Sequence, residues 1–404
     1  MARRKAPAIP DEMLETTDEF IADCARLIDT YHDPAPFSMR QVVVSPCQPV
    51  NCYRETFVES AALARDKGVF LHTHVGEGES PFIAARHGMR TVDYLEQIGF
   101  AGPDTFYAHC WELTDAELRQ MAASGTGVSH CPEPVYLVGA EVTDIPAMAA
   151  FGVRLGLGCD GAASNDNSNL MHCIHSAYML QCLVASGRTD PVPTPARFLS
   201  YATEGGASLL GRADIGALRP GMAADLFAID TRKLDYIGTR HDPVSLIPKV
   251  GIGTTVDMTM INGRIVWRDG HFPGLDEGAL FAQALLERDA SASNDQVAQA
   301  RDKALRAPLL MLLIVDEAKG DADIDLNERV LSAGCAVQNF MLLAHAMGSG
   351  SGLTSGKALK ADSFRAGLGL GASEHAICCL SVGTVSSRKP FKPRPEVSQF
   401  TRIW

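Results

Sequence analysis

Residues 69–79 read VFLHTHVGEGE, an apolar run that ends in a turn rich in glycine and glutamate. Within this run His72 and His74 are two positions apart, so on a strand both side chains lie on the same face. Glu77 follows just after the predicted strand. A strand that presents imidazole and carboxylate groups at its carboxyl end is typical of enzymes built on a parallel barrel.

The same pattern continues along the chain from residue 40 to about residue 210. Short runs that favour β-structure alternate there with helix-like segments, which predicts βα units on a parallel sheet. The predicted strands are 41–45, 69–75, 105–110, 126–131 and 153–160. The predicted helices are 53–67, 81–98, 114–124 and 145–151. A closed (β/α)8 barrel has eight such units, so we expect an incomplete α/β barrel with about its strands four to eight.

The chain changes character twice after the predicted barrel. Near residue 216 turns and short strands begin, and Asn262–Gly263 is a hairpin signal. Residues 285–297 are small and polar, which suits a linker. A strand near 307–317, a helix at 328–347, a Gly/Ser loop and a last strand at 375–383 follow. We therefore expect a partial barrel at 1–210, a composite β unit at 211–284, a junction at 285–297 and an α+β region at 298–404.

Composition excludes several classes of function. The chain has 36 basic and 48 acidic residues, a net charge of −12, which argues against a nucleic acid or an anionic membrane as partner. The longest apolar run, 307–315, is far shorter than the roughly 20 residues that span a bilayer, and the first residues lack the apolar core of a secretory signal. The eleven cysteines are odd in number and include no CxxC pair, which predicts reduced thiols and a cytoplasmic protein.

Further polar side chains end the neighbouring predicted strands: His109, His130 and Asp160. Because parallel strands end at one edge of a sheet, these side chains are expected to converge with those of residues 72–77. Imidazole and carboxylate groups in that arrangement suit a hydrolytic Zn²⁺ or Fe²⁺ site. Asn165 and Asp166 are interpreted as cap and turn residues. The remaining histidines are interpreted as surface or packing residues: His32, His87, His172, His175, His241, His271, His345 and His375.

These motifs resemble the amidohydrolase superfamily, in its triazine and aromatic-base deaminase branch, over about residues 8–283. The stretches LHTHVGEGE, GTGVSHCPEPVYLVGAEVTDIPAMAA and DGAASNDNSNL carry the resemblance. It implies a metal-dependent hydrolase of C–N bonds, other than peptide bonds, on a small N-heteroaromatic substrate such as a triazine, purine or pterin. The roles that it implies are metal ligand for His74, proton shuttle for Glu77, water or substrate contact for His109, ligand and base for Asp160, and substrate pocket for His130 and Glu133.

One feature of that superfamily has no equivalent in the sequence. Its members carry a His-x-His pair on the first strand of the barrel, and no such pair precedes residue 40. His74 and Asp160 are then the expected ligands, and His72, which shares a face with His74, is the added candidate. We therefore expect Zn²⁺ or Fe²⁺ to bind weakly and hydrolysis to be slow. A homo-oligomer is left open.

Residues from about 297 to 404 resemble the C-terminal half of the nitroreductase family, whose members are interlocked dimers that bind FMN. The stretches ALRAPLLMLLIVDE and CLSVGTVSSRKPFKPRP carry this resemblance. It implies that Thr354, Ser355 and Gly356 approach FMN and that Arg388 or Lys389 reaches its phosphate. That family's N-terminal Arg/Ser motif is absent, so FMN is expected to bind poorly. An FMN-dependent oxidoreductase and a non-catalytic fusion remnant are therefore the alternatives to the hydrolase.

Overall fold

The computed structural model describes residues 14–161, 164–165, 168–187, 194–385, 396 and 399. The chain divides into two compact units, Met1–Gly270 and His271–Trp404. The first unit contains a parallel sheet and a small antiparallel sheet, and the second contains one antiparallel sheet with helices. The fold is therefore mixed α/β, as the sequence predicts.

The five predicted strands form one parallel sheet in the order β1-β2-β3-β4-β5. These strands are β1 Val43–Val44, β2 Phe70–Val75, β3 Thr105–His109, β4 Gly127–His130 and β5 Arg154–Leu157. The register pairs His74 with Ala108 and Ser129 with Gly156, so the carboxyl ends of β2 to β5 lie along one edge. This sheet is consistent with part of a (β/α)8 barrel, which confirms the predicted fold class.

The helices of the first unit connect and flank these strands. They are α1 Thr17–Tyr31, α2 Arg54–Lys67, α3 Ser80–His87, α4 Thr91–Gln97, α5 Asp115–Ser124, α6 Pro132–Val138, α7 Ile145–Phe151, α8 Leu170–Val184, α9 Pro195–Ser200 and α10 Gly206–Leu209. Helix α5 begins with a capping box between Thr114 and Glu117 and ends at Gly125 in the left-handed conformation. The helix predicted at 81–98 is two helices, α3 and α4, because the chain turns at residues 88–90.

The core of the first unit lies on the parallel sheet. Leu71, Tyr107 and Val128, from three adjacent strands, are completely buried, as is Phe57 of α2. Phe57 packs edge-to-face on Phe100, with ring centroids 4.9 Å apart. One face of β2 is buried in this core and the other, which carries His72 and His74, is only partly buried, so the packed face fixes the positions of the side chains at the edge of the sheet.

The small β unit is a three-stranded antiparallel sheet in the order β6-β7-β8. Its strands are β6 Leu226–Ala228, β7 Met258–Ile261 and β8 Arg264–Arg268. Asn262 and Gly263 connect β7 to β8, both with positive φ (46° and 77°), as a two-residue hairpin turn requires. The described part of the first compact unit also contains four short helical turns: Tyr201–Gly205, Leu234–Thr239, Pro243–Ser245 and Leu246–Val250.

The second unit pairs its three strands antiparallel in the order β10-β11-β9. The strands are β9 Leu309–Asp316, β10 Gly350–Thr354 and β11 Glu374–Gly383. The helices are α11 Glu277–Arg288, α12 Asn294–Arg301, α13 Leu326–Ala346 and α14 Asp362–Gly367, with a 3-10 turn at Lys357–Lys360. Phe281 of α11 packs against Phe364 of α14 with ring centroids 5.2 Å apart, in the core of this unit.

The structure differs from the sequence-based division in two places. Residues 285–297, expected to be a linker, are the end of α11, a turn and the start of α12, and α12 begins with a capping box between Ser293 and Gln296. The compact units instead divide at Gly270. Part of the expected Gly/Ser loop is strand β10, because β11 supplies its hydrogen-bonding partners. Most side chains of residues 290–299 are exposed, and early proteolysis there remains a prediction.

No helix in the described part of the chain is both long and apolar enough to cross a membrane. All eleven cysteines lie in the described residues, and all are free thiols. The thiols of Cys110 and Cys131 are buried, and burial raises the pKa of Cys131 to about 12. These cysteines therefore pack as small apolar residues in this structure.

Candidate active site

The turn after β2 positions Glu77 at the edge of the sheet. Buried Glu79 accepts hydrogen bonds of 2.7 Å from the backbone N–H groups of both Gly76 and Glu77. Gly76 has φ +77°, and a Cβ there would lie 2.9 Å from the Cα of Cys110. The glycine is therefore required by conformation and by close backbone packing. Glu79 was not among the predicted site residues, although the second glutamate of GEGE is a signal that could have identified it.

His109 lies at the centre of the site, at the end of β3. Its Nε2 is 3.5 Å from Oε1 of Glu77 and 3.9 Å from Oδ2 of Asp160. Its ring stacks against the ring of His74, with centroids 5.4 Å apart. The structure therefore brings His74, Glu77 and Asp160 to His109, four of the side chains that the sequence predicts to converge. They come from the ends of three strands, β2, β3 and β5.

Burial keeps His109 neutral near pH 7. Desolvation lowers the pKa of His109 to about 4, against the opposing effect of the Asp160 carboxylate. Two carboxyl groups face Nε2, one of them the Asp160 carboxylate, whereas Nδ1 is buried and has no hydrogen-bond partner in the described residues. The proton of the neutral ring therefore belongs on Nε2, where it faces Glu77 and Asp160.

Glu77 is held in an environment that favours its protonated form. Burial raises the pKa of Glu77, and the effects of His74 and of the hydrogen bond from Gln48 oppose this rise. The Nε2 group of Gln48 donates that hydrogen bond, and Asn51 donates to Oε1 of Gln48 over 3.2 Å. Gln48 follows β1, so β1 also contributes to the site. Gln48 was not among the predicted site residues, because nothing in its local sequence pattern distinguishes it from other loop glutamines.

Asp160 follows β5 in a left-handed backbone conformation with φ +63°. The backbone N–H of Gly161 donates to Oδ1 of Asp160 over 2.6 Å. Buried Asn165 donates from Nδ2 to the carbonyl of Cys159 over 2.7 Å, as a residue that stabilises a turn does. Asp166, the other predicted turn residue, lies outside the described residues. The left-handed conformation at both Asp160 and His109 (φ +68°) is uncommon for residues other than glycine and marks functional sites.

The other predicted site residues lie around this cluster. His72 stacks on Phe106 and its Nδ1 lies 3.1 Å from the carbonyl oxygen of Phe106, and burial lowers the pKa of His72 to about 4. His130 is completely buried, both of its ring nitrogens have no partner in the described residues, and burial lowers its pKa to about 3. Glu133 accepts hydrogen bonds from Ser176 (3.1 Å) and Cys173 (3.7 Å). Its placement in a substrate pocket stays a prediction.

His74 is the predicted metal ligand whose ring is best placed to bind an ion. Nδ1 of His74 lies 2.8 Å from the carbonyl oxygen of Cys47, which leaves Nε2 of His74 as the ring nitrogen free for a metal. No group of three or more His, Cys, Asp or Glu side chains is placed to hold a metal ion among the residues that the structure describes. Those residues therefore do not form a complete metal site.

The predicted flavin residues lie in the second unit. Thr354 ends β10, and with Ser355 and Gly356 it lines a cavity of about 200 Å³. Arg388 and Lys389 lie outside the described residues. The structure thus places three of the five predicted residues at a cavity.

A parallel sheet that carries imidazole and carboxyl groups at adjacent strand ends is the arrangement in which (β/α)-barrel enzymes hold their active sites. Comparison with family models gives the family within that class. Residues 2–266 match the model of the amidohydrolase family, and the chain belongs to that family. Residues 276–384 match the model of the nitroreductase family.

Individual relatives agree with this assignment. The chain is 62% identical over 269 residues to hydroxydechloroatrazine ethylaminohydrolase of Pseudomonas sp. (strain ADP), covering 67% of this chain and 56% of the relative. It is 37% identical over 278 residues to 8-oxoguanine deaminase of Pseudomonas aeruginosa, covering 68% of this chain and 60% of the relative. The chain thus spans less than two thirds of the length of these relatives.

Solved structures give the same result. An atrazine chlorohydrolase of Arthrobacter aurescens TC1, solved in complex with zinc, has a TM-score of 0.63 and 25% identity. The similarity covers 74% of this chain and 62% of that one. The likeness supports the hydrolase fold and shows that a structural neighbour binds zinc.

Proposed function

We propose that the chain carries an aminohydrolase site that cleaves a C–N bond on an N-heteroaromatic ring and releases an amine or ammonia. The single observation that supports this most is the convergence of Glu77 and Asp160 on Nε2 of buried His109, 3.5 and 3.9 Å away. The names of the relatives support the substrate class, because they act on triazine and purine rings. The triazine substrate is our proposal for this chain.

The residues divide the proton transfers of such a reaction between them. Asp160 accepts the proton of the attacking water at a carboxylate oxygen. Glu77, whose raised pKa favours the carboxylic acid, donates a proton to a ring nitrogen, takes up from Asp160 the proton of the water, and donates it to the leaving amine as the C–N bond breaks. The hydroxyl proton of the intermediate then returns to Glu77, so that both carboxyl groups regain their starting states. Neutral His109 donates from Nε2 and holds the water between the two carboxyl groups. A pair of carboxyl groups with different proton affinities is what general acid and base catalysis requires.

We also propose that Zn²⁺ or Fe²⁺ binds weakly and that turnover by this chain is slow. Three protein ligands are usual at a catalytic zinc site, and the described residues offer no such group. His74 and Asp160 are the proposed ligands, with His72 as the third candidate, and no step above depends on a metal. His130 and Glu133 are proposed to line the substrate pocket.

The test is release of ethylamine from hydroxydechloroatrazine, measured with and without added Zn²⁺ or Fe²⁺. Asp160→Asn is the site variant, and Asp115→Asn, which removes an exposed carboxylate on α5, is its matched control. We expect slow release that the site variant abolishes and the control retains. Release that Asp160→Asn leaves unchanged would refute the proposed site, and rapid release without added metal would refute the proposed weak activity.

A second candidate function lies in the nitroreductase-like unit. The observation that favours it is the cavity beside Thr354, Ser355 and Gly356. We propose that FMN, if it binds this chain, contacts these three residues, while Arg388 and Lys389 remain candidates for its phosphate. The free cysteines support the proposal that the protein works in the reducing cytoplasm.

A further inference from the structure

His109 lies where the hydrogen-bonded ladder between β3 and β4 stops. The last register pair of that ladder is Ala108 with Ser129, one residue before His109. At His109 and Cys110 the backbone then enters the left-handed region, with φ +68° and +58°. Two consecutive residues other than glycine are strained in that region, and the conformation persists only where the surrounding structure holds it.

Strand β2 and the turn after it hold the chain that follows His109. The backbone N–H of Cys110 donates to the carbonyl oxygen of Val75 over 2.8 Å, and that of Trp111 donates to Gly76 over 3.1 Å. These bonds do not involve the carbonyl group of His109 itself. Because His109 is only 1% exposed, that carbonyl needs a donor inside the protein, and leaving it unpaired would cost its full desolvation.

The hydroxyl group of Thr143 supplies this donor. Its Oγ1 donates to the carbonyl oxygen of His109 over 2.8 Å, and the two residues are 34 positions apart in the chain. Thr143 is completely buried and lies in the segment between α6 and α7. A side chain from a distant segment therefore fixes the peptide group that follows His109.

Thr143 is in turn held by helix α8. Nε2 of Gln181 donates to the carbonyl oxygen of Thr143 over 2.9 Å, and Gln181 is also completely buried. The backbone N–H of Ile145, the first residue of α7, donates to the same carbonyl oxygen over 3.2 Å. A series of buried hydrogen bonds thus runs from α8 through Thr143 to the end of β3. Buried polar networks whose bonds are made hold their members rigidly.

We propose that Thr143, held by Gln181, is a positioning residue of the hydrolase site that sets the direction of the His109 ring. The distances of 3.5 Å from Nε2 of His109 to Glu77 and 3.9 Å to Asp160 depend on that direction. A misplacement of about 1 Å in a reacting group lowers a rate by on the order of 10²-fold. The effect on the rate rests on the proposed function, whereas the effect on the position of the ring does not.

The test compares Thr143→Val, which removes the hydroxyl group and keeps the branched shape, with Thr143→Ser, which keeps the hydroxyl group. Thr126→Val is the matched control. Thr126 is equally buried, and its Oγ1 accepts from the backbone N–H of Gly102 over 3.0 Å, just before the amino end of β4 and away from the site.

Nitrogen-15 NMR of the histidine-labelled full chain reports on the ring of His109, and steady-state assays give kcat and KM. We expect Thr143→Val to shift the ring signals of His109 and to lower kcat about tenfold or more with KM nearly unchanged. Thr143→Ser should restore both, and Thr126→Val should change neither.

Gln181→Met decides the matter if Thr143→Val does not fold, because it releases Thr143 but leaves the carbonyl of His109 with its donor. It should shift the same signals of His109 by a smaller amount, and unchanged signals would overturn the proposal. A chain that releases no amine, but in which Thr143→Val moves the His109 signals and Thr143→Ser restores them, would refute the proposed function and uphold the positioning role.

Three further results would overturn the positioning role of Thr143. The first is a Thr143→Val variant whose His109 signals match those of the unaltered chain. The second is a Thr143→Ser variant that behaves as Thr143→Val does. The third is an unchanged kcat for Thr143→Val in a chain that does release amine.

Discussion

The edge of the parallel sheet and the cavity beside Thr354, Ser355 and Gly356 hold their ionisable side chains in different surroundings. At the sheet edge, His109 and His130 are buried and burial holds them neutral, so that the solvent-poor surroundings determine which groups carry protons. In the cavity beside Thr354, Ser355 and Gly356, by contrast, the basic side chains of Arg288, Lys303 and Arg306 are exposed, and no carboxylate is among the lining residues. The first arrangement suits proton transfer, and the second leaves its basic side chains in contact with solvent.

The largest expected effect is on the rate of amine release by hydrolysis, which depends on the sheet edge and not on the second unit. Glu77→Gln should lower amine release by about 10³-fold, because loss of a positioned general acid costs about 10²- to 10⁴-fold. Glu59→Gln, an exposed position on α2, is the matched control. Steady-state assays should show the loss in kcat. Equal rates in the two variants would mean that Glu77 does not transfer the proton.

Acid should destabilise the first unit before the second. The pKa values of His109 and His130 are lowered to about 4 and about 3, so the unfolded chain binds more protons between these values and about 6.5. Stability is therefore complete above pH 6.5 and lost as the pH falls, by on the order of 2 kcal/mol for each histidine near pH 4.5. The pKa of His72 is also lowered to about 4 and adds to the loss, whereas the raised pKa of Glu77 acts in the opposite direction as one group against three.

Hydrogen exchange at pH 7 and pH 4.5 measures this difference peptide by peptide. No described histidine of the second unit is buried, so that unit should not share the loss. His130→Leu should reduce the acid sensitivity of the first unit, because it removes a buried base with two unpartnered nitrogens. Equal acid destabilisation of both units would contradict the contrast between them.

A side chain added at Gly76 should lower the free energy of unfolding of the first unit by less than acid does. Gly76→Ala should destabilise the first unit by about 3 kcal/mol, because the new Cβ meets the backbone of Cys110 in addition to the strain of a positive φ. Gly78→Ala is the control, since Gly78 also has positive φ but open space around it, and it should cost only about 1 kcal/mol. Urea unfolding gives both values, and equal costs would argue against close packing at residue 76.

The smallest expected effects are the losses of stability when a helix cap is removed, and they are equal in the two units. Thr114 caps α5 in the first unit, and Ser293 caps α12 in the second, each within a capping box. Replacement of either residue by alanine should cost about 1 kcal/mol, because each loses one cap hydrogen bond. Thermal unfolding measures both. A much larger cost at Ser293 would show that the turn before α12 is more tightly integrated than its exposed side chains indicate.

The strand ends were predictable from sequence because a parallel sheet brings consecutive strand ends to one edge. His74, Glu77, His109 and Asp160 could therefore be grouped without coordinates. The hydrogen bonds of Gln48 and Glu79 that hold Glu77 could not be predicted from the sequence. They form only when β1 and the turn after β2 are in place. Local chemistry identifies the reacting groups here, and tertiary packing selects the residues that orient them.

The second unit was less predictable for two physical reasons. Gly350–Thr354 has the composition of a loop, and only its pairing with β11 makes it a strand. The cations of the cavity come from separate parts of the chain, so no local pattern places Arg288 beside Lys357. Helix α11 likewise follows the small β unit in sequence but packs on α12 and α14.

The protonation state of His109 is the most direct test of the central claim, that desolvation keeps a neutral imidazole between two carboxyl groups. Nitrogen-15 NMR of histidine-labelled protein, with His109→Gln to assign the signal, measures both the tautomer and the titration. We predict a neutral ring at pH 7 with its proton on Nε2 and a titration midpoint near pH 4. A ring that titrates near pH 6.5, or that carries its proton on Nδ1 at pH 7, would contradict the account.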